Sequence, residues 1–284
     1  MAVKILPVVW LQGAGCTGCS VSVLNAVSPK IQNLLLDEIV PGQQLSLLFH
    51  ATIMAGQAEP VIKVLKDTET NRKGGYVLVV EGSVPTAENG AYCSIGIHNG
   101  KHQTILQSVQ DMGRNALAVL AVGTCATYGG IPAARPNPTG CKGVQELFDE
   151  KDITTPVINI PGCPVHPDWF VGTVAQILIS GLESVEVDHI GRPRLFYGKL
   201  VHENCQRRAD FDKGKFAEKP GGEGCLYRVG CKGHYTYADC PIRQWNNGVS
   251  WCVKAGSPCL GCVEADFPDG TSPLYEKVLF EVLK

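Results

Sequence analysis

The amino-acid sequence predicts an α/β protein in which a doubly wound parallel sheet is followed by a smaller, irregular domain. Three observations lead to this prediction. Short β-branched apolar runs alternate with helix-like segments over the first two thirds of the 284 residues. The apolar runs are continuous rather than alternating, as is typical of strands that are buried on both faces. After about residue 188 the periodicity fades, and Gly, Pro and Cys become dense.

Each strand and helix predicted for the first region corresponds to a separate segment of the sequence. The predicted strands are residues 5–11, 45–50, 76–81, 117–122 and 157–160, all apolar runs that end near a turn. The predicted helices are residues 20–27, 59–66, 103–112, 144–150 and 169–182. This order of strands and helices is typical of a flavodoxin-like fold, which we assign to residues 1–188.

Residues 189–284 are predicted to form a second domain that binds metal. The stretch Lys-Pro-Gly-Gly-Glu-Gly-Cys at residues 219–225 is representative of its composition. Because so little apolar patterning is present, we expect bound metal to supply much of the folding free energy of this domain.

Composition excludes several classes of protein. The chain has 25 Lys and Arg against 27 Asp and Glu, whereas a nucleic-acid-binding protein would show a basic excess. No apolar run approaches the ~18 residues of a membrane span. The N-terminus shows no export signal in the sequence as given, so the residues alone leave both the cytoplasm and the periplasm open.

Twelve potential metal ligands fall into three groups of four. The first cysteine group is Cys16, Cys19, Cys125 and Cys163; the histidine group is His202, Cys205, Cys225 and Cys231; the third cysteine group is Cys240, Cys252, Cys259 and Cys262. Four ligands are what an iron–sulfur cube needs, since each iron takes one protein ligand besides its bridging sulfides. Three such sets suggest a row of redox centres. Cys93 and Cys141 remain, and we expect them to be buried or idle thiols.

Disulfides are the main alternative for thirteen cysteines. A disulfide framework suits secreted chains below roughly 100 residues, which cannot build a sufficient core. This chain is much longer, and 44% of its residues are hydrophobic. The composition therefore favours metal binding over a disulfide framework.

The first cysteine group follows the predicted topology. Cys16 and Cys19 come after the first strand, Cys125 after the fourth and Cys163 after the fifth. Cofactors of doubly wound folds lie at the carboxyl ends of the strands. The spacing Cys16-Thr-Gly-Cys19 alone also fits a thioredoxin-like dithiol, but the two further cysteines at strand ends favour a metal site. Glu81 ends the third strand at the same edge, where it is either a proton-path or interface residue or a capping or solvated carboxylate.

The other two groups leave the metal open between iron–sulfur clusters and zinc. Zinc accepts three cysteines with one histidine, and it also accepts four cysteines. An isolated His202 beside Cys205 would be an ordinary surface histidine, whereas Cys225 and Cys231 complete a set of four ligands. Three sets in one chain, one of them in a doubly wound domain, favour iron–sulfur clusters.

Several segments together resemble the small subunit of nickel–iron hydrogenases. These are WLQGAGCTGCS at 10–20, AVGTCATYGG at 121–130, IPGCPVHP at 160–167, HENC at 202–205 and CLGCVEADFPD at 259–269. The resemblance runs essentially from end to end. It implies that the first cysteine group binds a proximal cluster, the third cysteine group a medial cluster and the histidine group a distal cluster. The nickel–iron site that cleaves hydrogen would then lie in a separate large subunit.

One position departs from the common pattern of that family. Most members have proline where this sequence has Cys252, and their medial cluster contains three irons. Cys252 and the tail that follows it resemble the nickel–iron–selenium branch, which implies three 4Fe–4S clusters and a selenocysteine in the large subunit. The resemblance also implies a periplasmic location and a multihaem cytochrome c as the electron acceptor.

Two alternatives remain at this stage. The first is a cluster-bearing subunit of a related quinone or ferredoxin oxidoreductase, although those relatives have adjacent cysteines and lack the eight ligands of the second domain. The second alternative is a zinc-stabilised structural protein, which would contain no iron or sulfide.

Overall fold

The computed structural model describes residues 4–37, 42–56 and 58–276 of the chain. Two compact units are present, residues 1–193 and residues 194–284. The boundary after residue 188 stays a prediction, as do the ligand assignments of the two domains.

A parallel sheet of five strands forms the centre of the first unit. The strands are β1 (Lys4–Gln12), β2 (Gln43–His50), β3 (Val77–Glu81), β4 (Val84–Pro85), β5 (Ser94–His98), β6 (Lys101–Thr104), β7 (Ala118–Val122), β8 (Cys141–Lys142) and β9 (Val157–Ile160). The central sheet has the order β2-β1-β3-β7-β9, while β4 pairs with β8 and β5 pairs with β6, both antiparallel. Renumbered within the sheet, this is the 2-1-3-4-5 order of flavodoxin-like folds.

The α-helices are short outside the first unit. They are α1 (Gly18–Leu24), α2 (Ile31–Leu36), α3 (Glu59–Asn71), α4 (Ile105–Asn115), α5 (Thr124–Tyr128), α6 (Gly130–Ala133), α7 (Val144–Glu150), α8 (Pro167–Ser180), α9 (Arg194–Tyr197), α10 (Arg208–Asp212) and α11 (Cys240–Arg243). Helices cover both faces of the central sheet, so the predicted doubly wound α/β fold is confirmed.

The core lies on both faces of the central strands. All five residues of β3 and all five of β7 are buried. Since side chains alternate along a strand, Leu78 and Val80 enter one core layer with α4 and α7, and Val77 and Val79 enter the other with Phe170 of α8. This packing fixes the strands and thereby the loops at their carboxyl ends.

Several elements differ from the predicted pattern, among them α4 and the hairpin that precedes it. Helix α4 begins at Ile105 rather than at residue 103, because the Thr104 side chain caps the Gln107 N–H and the Gln107 side chain caps the Thr104 N–H. The residues just before this cap form β6, which pairs with β5 in a hairpin that was not predicted from the sequence.

The second unit contains little regular structure. Its buried apolar side chains include Trp251, Val253, Leu226 and Phe267. A 3-10 turn at Val201–Asn204 contains His202 and ends directly before Cys205. A second 3-10 turn, at Leu226–Val229, lies between Cys225 and Cys231. Within the described residues of the whole chain, no helix is both long enough and apolar enough to cross a membrane.

Candidate metal centres

Backbone hydrogen bonds bring the loops after four sheet strands together at one edge. The N–H of Gly13 donates to the carbonyl of Glu81 at 2.7 Å, which joins the loops after β1 and β3. The N–H of Thr124 donates to the carbonyl of Gly162 at 3.0 Å, and the N–H of Gly162 donates to Thr124 Oγ1 at 2.9 Å. These bonds join the loops after β7 and β9. The loops that carry the first cysteine group are therefore held side by side.

The four thiols of the first cysteine group lie within electrostatic reach of one another. Burial raises the pKa of Cys125 to about 12, and Cys163 and Cys16 add to the increase. Burial also raises the pKa of Cys19, with Glu81, Cys125 and Cys163 adding to it, although a hydrogen bond from Val165 opposes the change. Since a metal binds the thiolate form, loading of this site must release protons.

Glycines permit a close approach between the backbone and these sulfur atoms. A Cβ at Gly123, where φ is +84°, would lie 2.4 Å from Cys19 Sγ. A Cβ at Gly18 would lie 3.0 Å from Cys16 Sγ. The N–H of Val165 is directed at Cys19 Sγ at 3.5 Å. N–H donors directed at sulfur are a typical way in which proteins stabilise and tune iron–sulfur clusters.

Three thiols of the histidine group also interact. Burial raises the pKa of Cys205, and the thiols of Cys231 and Cys225 add to this increase. The N–H of Arg207 lies 3.4 Å from Cys205 Sγ, and the N–H of Cys259 lies 3.3 Å from Cys231 Sγ. The sulfur atoms of this group therefore have the same kind of backbone donor as Cys19.

His202 lies one turn before Cys205 and is half-buried. Burial lowers the pKa of its imidazole, and the positive charges of Arg208 and His234 lower it further. The rings of His202 and Phe211 pack edge to face, with their centroids 4.6 Å apart. A neutral imidazole is the form that binds metal, so the chemistry of His202 fits its predicted role.

The third cysteine group is centred on Cys240. Burial raises its pKa well above the usual range, and Cys262, Cys259 and Cys252 all contribute to the increase. Burial likewise raises the pKa of Cys259, while hydrogen bonds from Gly261 and Thr236 oppose it. The structure thus brings the four predicted members of this group together.

A hydrogen bond links the histidine group to the third cysteine group. The N–H of Cys259, in the third cysteine group, donates to the Sγ of Cys231, in the histidine group. The N–H of Lys232 returns a bond to the carbonyl of Cys259 at 2.8 Å. Residues from the two groups are therefore in direct contact within the second unit.

None of the groups is arranged around one ion. In residues 4–37, 42–56 and 58–276, no three His, Cys, Asp or Glu side chains are placed to hold a single metal ion. In a cube each thiolate binds a different iron, so its ligands do not converge on one point. All thirteen cysteines are free thiols. The donor types and the N–H groups directed at sulfur fit iron–sulfur clusters.

Some of the surroundings of the first cysteine group were not predicted from the sequence. Ser20 and His50 are buried and lie on a hydrogen-bond chain to Glu81. Cys93 and Cys141, for which no role was expected, lie near each other. Burial raises the pKa of Cys93, and the nearby Cys141 thiol adds to this increase. Ser20 follows Cys19 directly in the sequence, and from this adjacency its position near the first cysteine group could have been predicted.

A flavodoxin-like unit with four cysteines at its strand ends, and a second unit with seven cysteines and a candidate histidine ligand, define an electron-transfer subunit of an oxidoreductase. Comparison with family models supports this class. The model of the C-terminal region of the NiFe/NiFeSe hydrogenase small subunit matches residues 197–275. The model of the 20 kDa subunit of NADH ubiquinone oxidoreductase matches residues 16–177.

Comparison with individual proteins identifies the family. The periplasmic NiFeSe hydrogenase small subunit of Desulfomicrobium baculatum is 46% identical over 282 residues, which are 96% of this chain and 87% of the relative. The periplasmic NiFe hydrogenase small subunit 1 of Nitratidesulfovibrio vulgaris is 42% identical over 274 residues, 95% of this chain and 81% of the relative. The chain belongs to the small subunits of NiFe/NiFeSe hydrogenases.

Solved structures agree with this membership. The oxidised recombinant NiFeSe hydrogenase from Desulfovibrio vulgaris Hildenborough matches with a TM-score of 0.89 at 46% identity, over 96% of this chain and 98% of that one. The reduced, active NiFeSe hydrogenase from Desulfomicrobium baculatum matches with a TM-score of 0.90 at 45% identity, over 97% of this chain and 100% of that one. Together with a large subunit, the chain forms a hydrogenase, and it contains iron–sulfur clusters.

Proposed function

We propose that this chain carries electrons between the large subunit and an external acceptor through three 4Fe–4S clusters. The first cysteine group would hold the proximal cluster, the third cysteine group the medial cluster and the histidine group the distal cluster. The observation that carries the proposal is the mutual proximity of the thiols within each group. When bound, the clusters supply one-electron redox chemistry, and the overall reaction is H2 ⇌ 2H+ + 2e−.

The large subunit would bind where the first cysteine group meets the surface. Two apolar side chains are exposed beside these cysteines: Val21 on α1 is 58% exposed, and Ile131 in α6 is 56% exposed. Cys16 itself is exposed. Exposed apolar side chains grouped around a buried site are typical of an interface, and covering them would exclude water from the first cysteine group.

Electrons would leave the protein at the histidine group. Its imidazole, unlike a thiolate, brings no negative charge to a cluster, which raises the reduction potential. The exposed Arg208 lies near His202 and would be available to an acceptor. We propose a multihaem cytochrome c as this acceptor and the periplasm as the location, in line with the periplasmic relatives.

Iron and acid-labile sulfide per chain, measured on the anaerobically purified heterodimer, test the cluster assignment. Three cubes predict about twelve cluster irons, in addition to the iron of the nickel–iron site in the large subunit, and no three-iron EPR signal on mild oxidation. About eleven irons with a three-iron signal would remove Cys252 from the ligands. Zinc without sulfide would contradict the proposal entirely.

A related quinone or ferredoxin oxidoreductase subunit is the second candidate. The match of residues 16–177 to the 20 kDa subunit of NADH ubiquinone oxidoreductase favours a shared first domain. That match does not extend to the eight predicted ligands between residues 202 and 262, which the hydrogenase model covers. Hydrogen–deuterium exchange by the purified heterodimer distinguishes the two candidates, since it requires a hydrogen-activating site.

A further inference from the structure

An arginine joins two of the segments that carry the histidine group. Arg207 is half-buried and lies two residues after Cys205, directly before α10. Its own N–H is directed at Cys205 Sγ at 3.4 Å. Its side-chain Nη1 donates to the carbonyls of Gly222 and Gly224, both at 2.7 Å. Gly224 directly precedes Cys225, so one residue connects the turn of Cys205 with the loop of Cys225.

The backbone around Cys225 fixes the loop that Arg207 binds. The N–H of Cys225 donates to the carbonyl of Lys215 at 2.9 Å, and the N–H of Ala217 donates to the carbonyl of Cys225 at 2.9 Å. At Gly224 φ is +96°, and a Cβ there would lie 2.8 Å from the Lys215 carbonyl oxygen. The carbonyls that accept from Arg207 therefore have fixed positions, and they hold the guanidinium in one place.

The charge of this guanidinium is screened less than that of its neighbour. A guanidinium keeps its positive charge at every physiological pH, and the carbonyl partners of Arg207 carry no net charge that would neutralise it. The side chain of Arg208, by contrast, is 44% exposed and pairs with the Asp212 carboxylate at 3.0 Å. Water and a carboxylate both weaken the field of Arg208, so the half-buried Arg207 has the stronger effect on nearby groups.

Three thiols of the histidine group lie within reach of this charge. Burial raises the pKa of Cys205, Cys225 and Cys231, and the positive charge of Arg207 opposes the increase at each of them. The Asp210 carboxylate acts in the other direction on Cys225. A positive charge that favours a thiolate over a thiol also favours the more negative of two redox states at the same place.

We propose that Arg207 raises the reduction potential of the cluster at the histidine group, because its fixed positive charge stabilises the reduced form. This inference rests on the proposed function, since it requires a cluster at that group. Reduction adds one electron to the cluster, and hydrogen oxidation supplies that electron. Net charge is one of the properties that set the potential of an iron–sulfur cluster, and half-buried charges interact more strongly than charges in water. Arg207 acts on the ligands and the cluster without binding iron itself.

The direction of this effect fits the exit of electrons at the histidine group. The neutral imidazole of His202 brings one negative charge fewer than a thiolate would, and Arg207 adds a positive charge beside the same ligands. Both changes raise the potential. Electrons that enter the chain at the first cysteine group are therefore drawn toward the histidine group.

An EPR-monitored redox titration of the intact heterodimer tests the inference. Coupling to the imidazole nitrogen of His202, measured by pulsed EPR, identifies the signal of this cluster. Arg207→Gln removes the charge but keeps a long side chain with N–H donors. The equilibrium constant for reduction should fall about tenfold, as for the loss of one nearby partly buried charge, which corresponds to about 59 mV for a one-electron step. An unchanged potential in this variant would overturn the inference.

Arg207→Lys separates the charge from the hydrogen bonds. Lysine keeps the positive charge, but its ammonium group does not reproduce the planar fork of the guanidinium. The potential of this variant should therefore stay close to that of the unmodified protein. An equal decrease in Arg207→Lys and Arg207→Gln would assign the effect to the bonds with Gly222 and Gly224, and the role of the charge would be refuted.

Lys213→Gln is the matched control for the loss of a charge. Lys213 follows the last residue of α10 and is exposed, so solvent and salt screen its ammonium group. The substitution should leave the potential unchanged. A shift as large as that of Arg207→Gln would mean that the net charge of the surface, rather than the position of Arg207, sets the potential.

Iron and sulfide assays on the same samples separate the two proposals. An intact, nitrogen-coupled cluster whose potential is the same in Arg207→Gln and the unmodified protein overturns this inference alone. Unmodified protein without a cluster at the histidine group overturns both the cluster assignment and the inference. Arg207→Met provides a second neutral variant. Loss of the cluster in both neutral variants would make Arg207 a residue for folding of the second unit and would also overturn its effect on the potential.

Discussion

At the scale of single residues, the approach of backbone to sulfur decides whether the first cysteine group can hold a cluster. Gly123 provides the sharpest case, since a Cβ there would lie 2.4 Å from Cys19 Sγ. Gly123→Ala should displace this sulfur and remove about four of about twelve irons. Iron analysis and EPR of the purified heterodimer measure the loss.

Gly181 offers a matched control for that substitution. Its φ is +85°, nearly the same as the +84° of Gly123, but no atom lies within 4 Å of a Cβ placed there. Gly181→Ala therefore carries a similar backbone strain, about 1–3 kcal/mol, without a contact to sulfur. Equal iron loss in both variants would mean that strain, rather than the approach to Cys19, disrupts the site.

Cys252 decides the type of the medial cluster. Cys252→Pro introduces the residue that most family members have at this position, so we expect a three-iron cluster with a higher potential. EPR of the mildly oxidised protein should then show a three-iron signal. Cys93→Ala, which removes a cysteine outside the three groups, should keep all three cubes. A Cys252→Pro variant with three four-iron centres would contradict the assignment of this residue.

At the scale of elements, a buried ion pair stabilises the turn that follows α8. Arg192 is 2% exposed; its Nε donates to Asp188 Oδ2 at 2.8 Å, and its N–H donates to Oδ1 at 2.9 Å. Burial alone would raise the pKa of Asp188, but these bonds outweigh it and lower the pKa below its usual value. Asp188→Asn should reduce the free energy of unfolding by about 1.5–3 kcal/mol at pH 7, as for hydrogen bonds to a charged group.

The pH dependence of this effect has a definite sign. A carboxylate with a lowered folded-state pKa stabilises the protein above its unfolded pKa of about 3.9, and the contribution is lost as pH falls through the folded pKa. The difference in melting temperature between the unmodified protein and Asp188→Asn should therefore be constant above about pH 5 and shrink below pH 4. Asp212→Asn, in an exposed pair with Arg208, should have little effect. A difference that persists in acid would contradict the role of the Asp188 charge.

The elements also show what can be predicted from sequence. Each sheet strand lies within two residues of its predicted bounds, because a buried parallel strand is a local apolar run between turns. The β5–β6 hairpin was missed although Asn99-Gly100 is a strong signal for a two-residue turn, and both residues have positive φ. Ile95 and Ile97 do alternate with polar or small residues in β5, but β6 is entirely polar and therefore gave no strand signal.

The candidate sites likewise have some features that could be predicted from the sequence and some that could not. Cysteines at the ends of predicted strands could be grouped from the sequence, since the topology places those ends at one edge of the sheet. The hydrogen bond between Cys259 and Cys231 could not be predicted, because the described part of the second unit has only short helices and turns, from which a contact between residues 28 positions apart cannot be inferred. The partners of Glu81 were also hidden, since Ser20 lies 61 residues away in the sequence.

At the scale of the whole molecule, electron delivery and hydrogen activation belong to different subunits and can be separated. His202→Ala should slow electron transfer to an external acceptor on the order of tenfold or more, as for other changes around metal ligands. Hydrogen–deuterium exchange should remain, because it requires only the large subunit site. The test is the ratio of the rate of acceptor reduction to the rate of isotope exchange, both measured on the same heterodimer.

His234 provides the control for this last prediction. It lies within electrostatic reach of His202, is exposed, and contacts Tyr227 and Tyr235 rather than completing a set of four ligands. His234→Ala should therefore leave the ratio of acceptor reduction to isotope exchange unchanged. If His202→Ala lowered both activities equally, the imidazole would support the folding of the second unit, and the exit of electrons would have to be sought elsewhere in the chain.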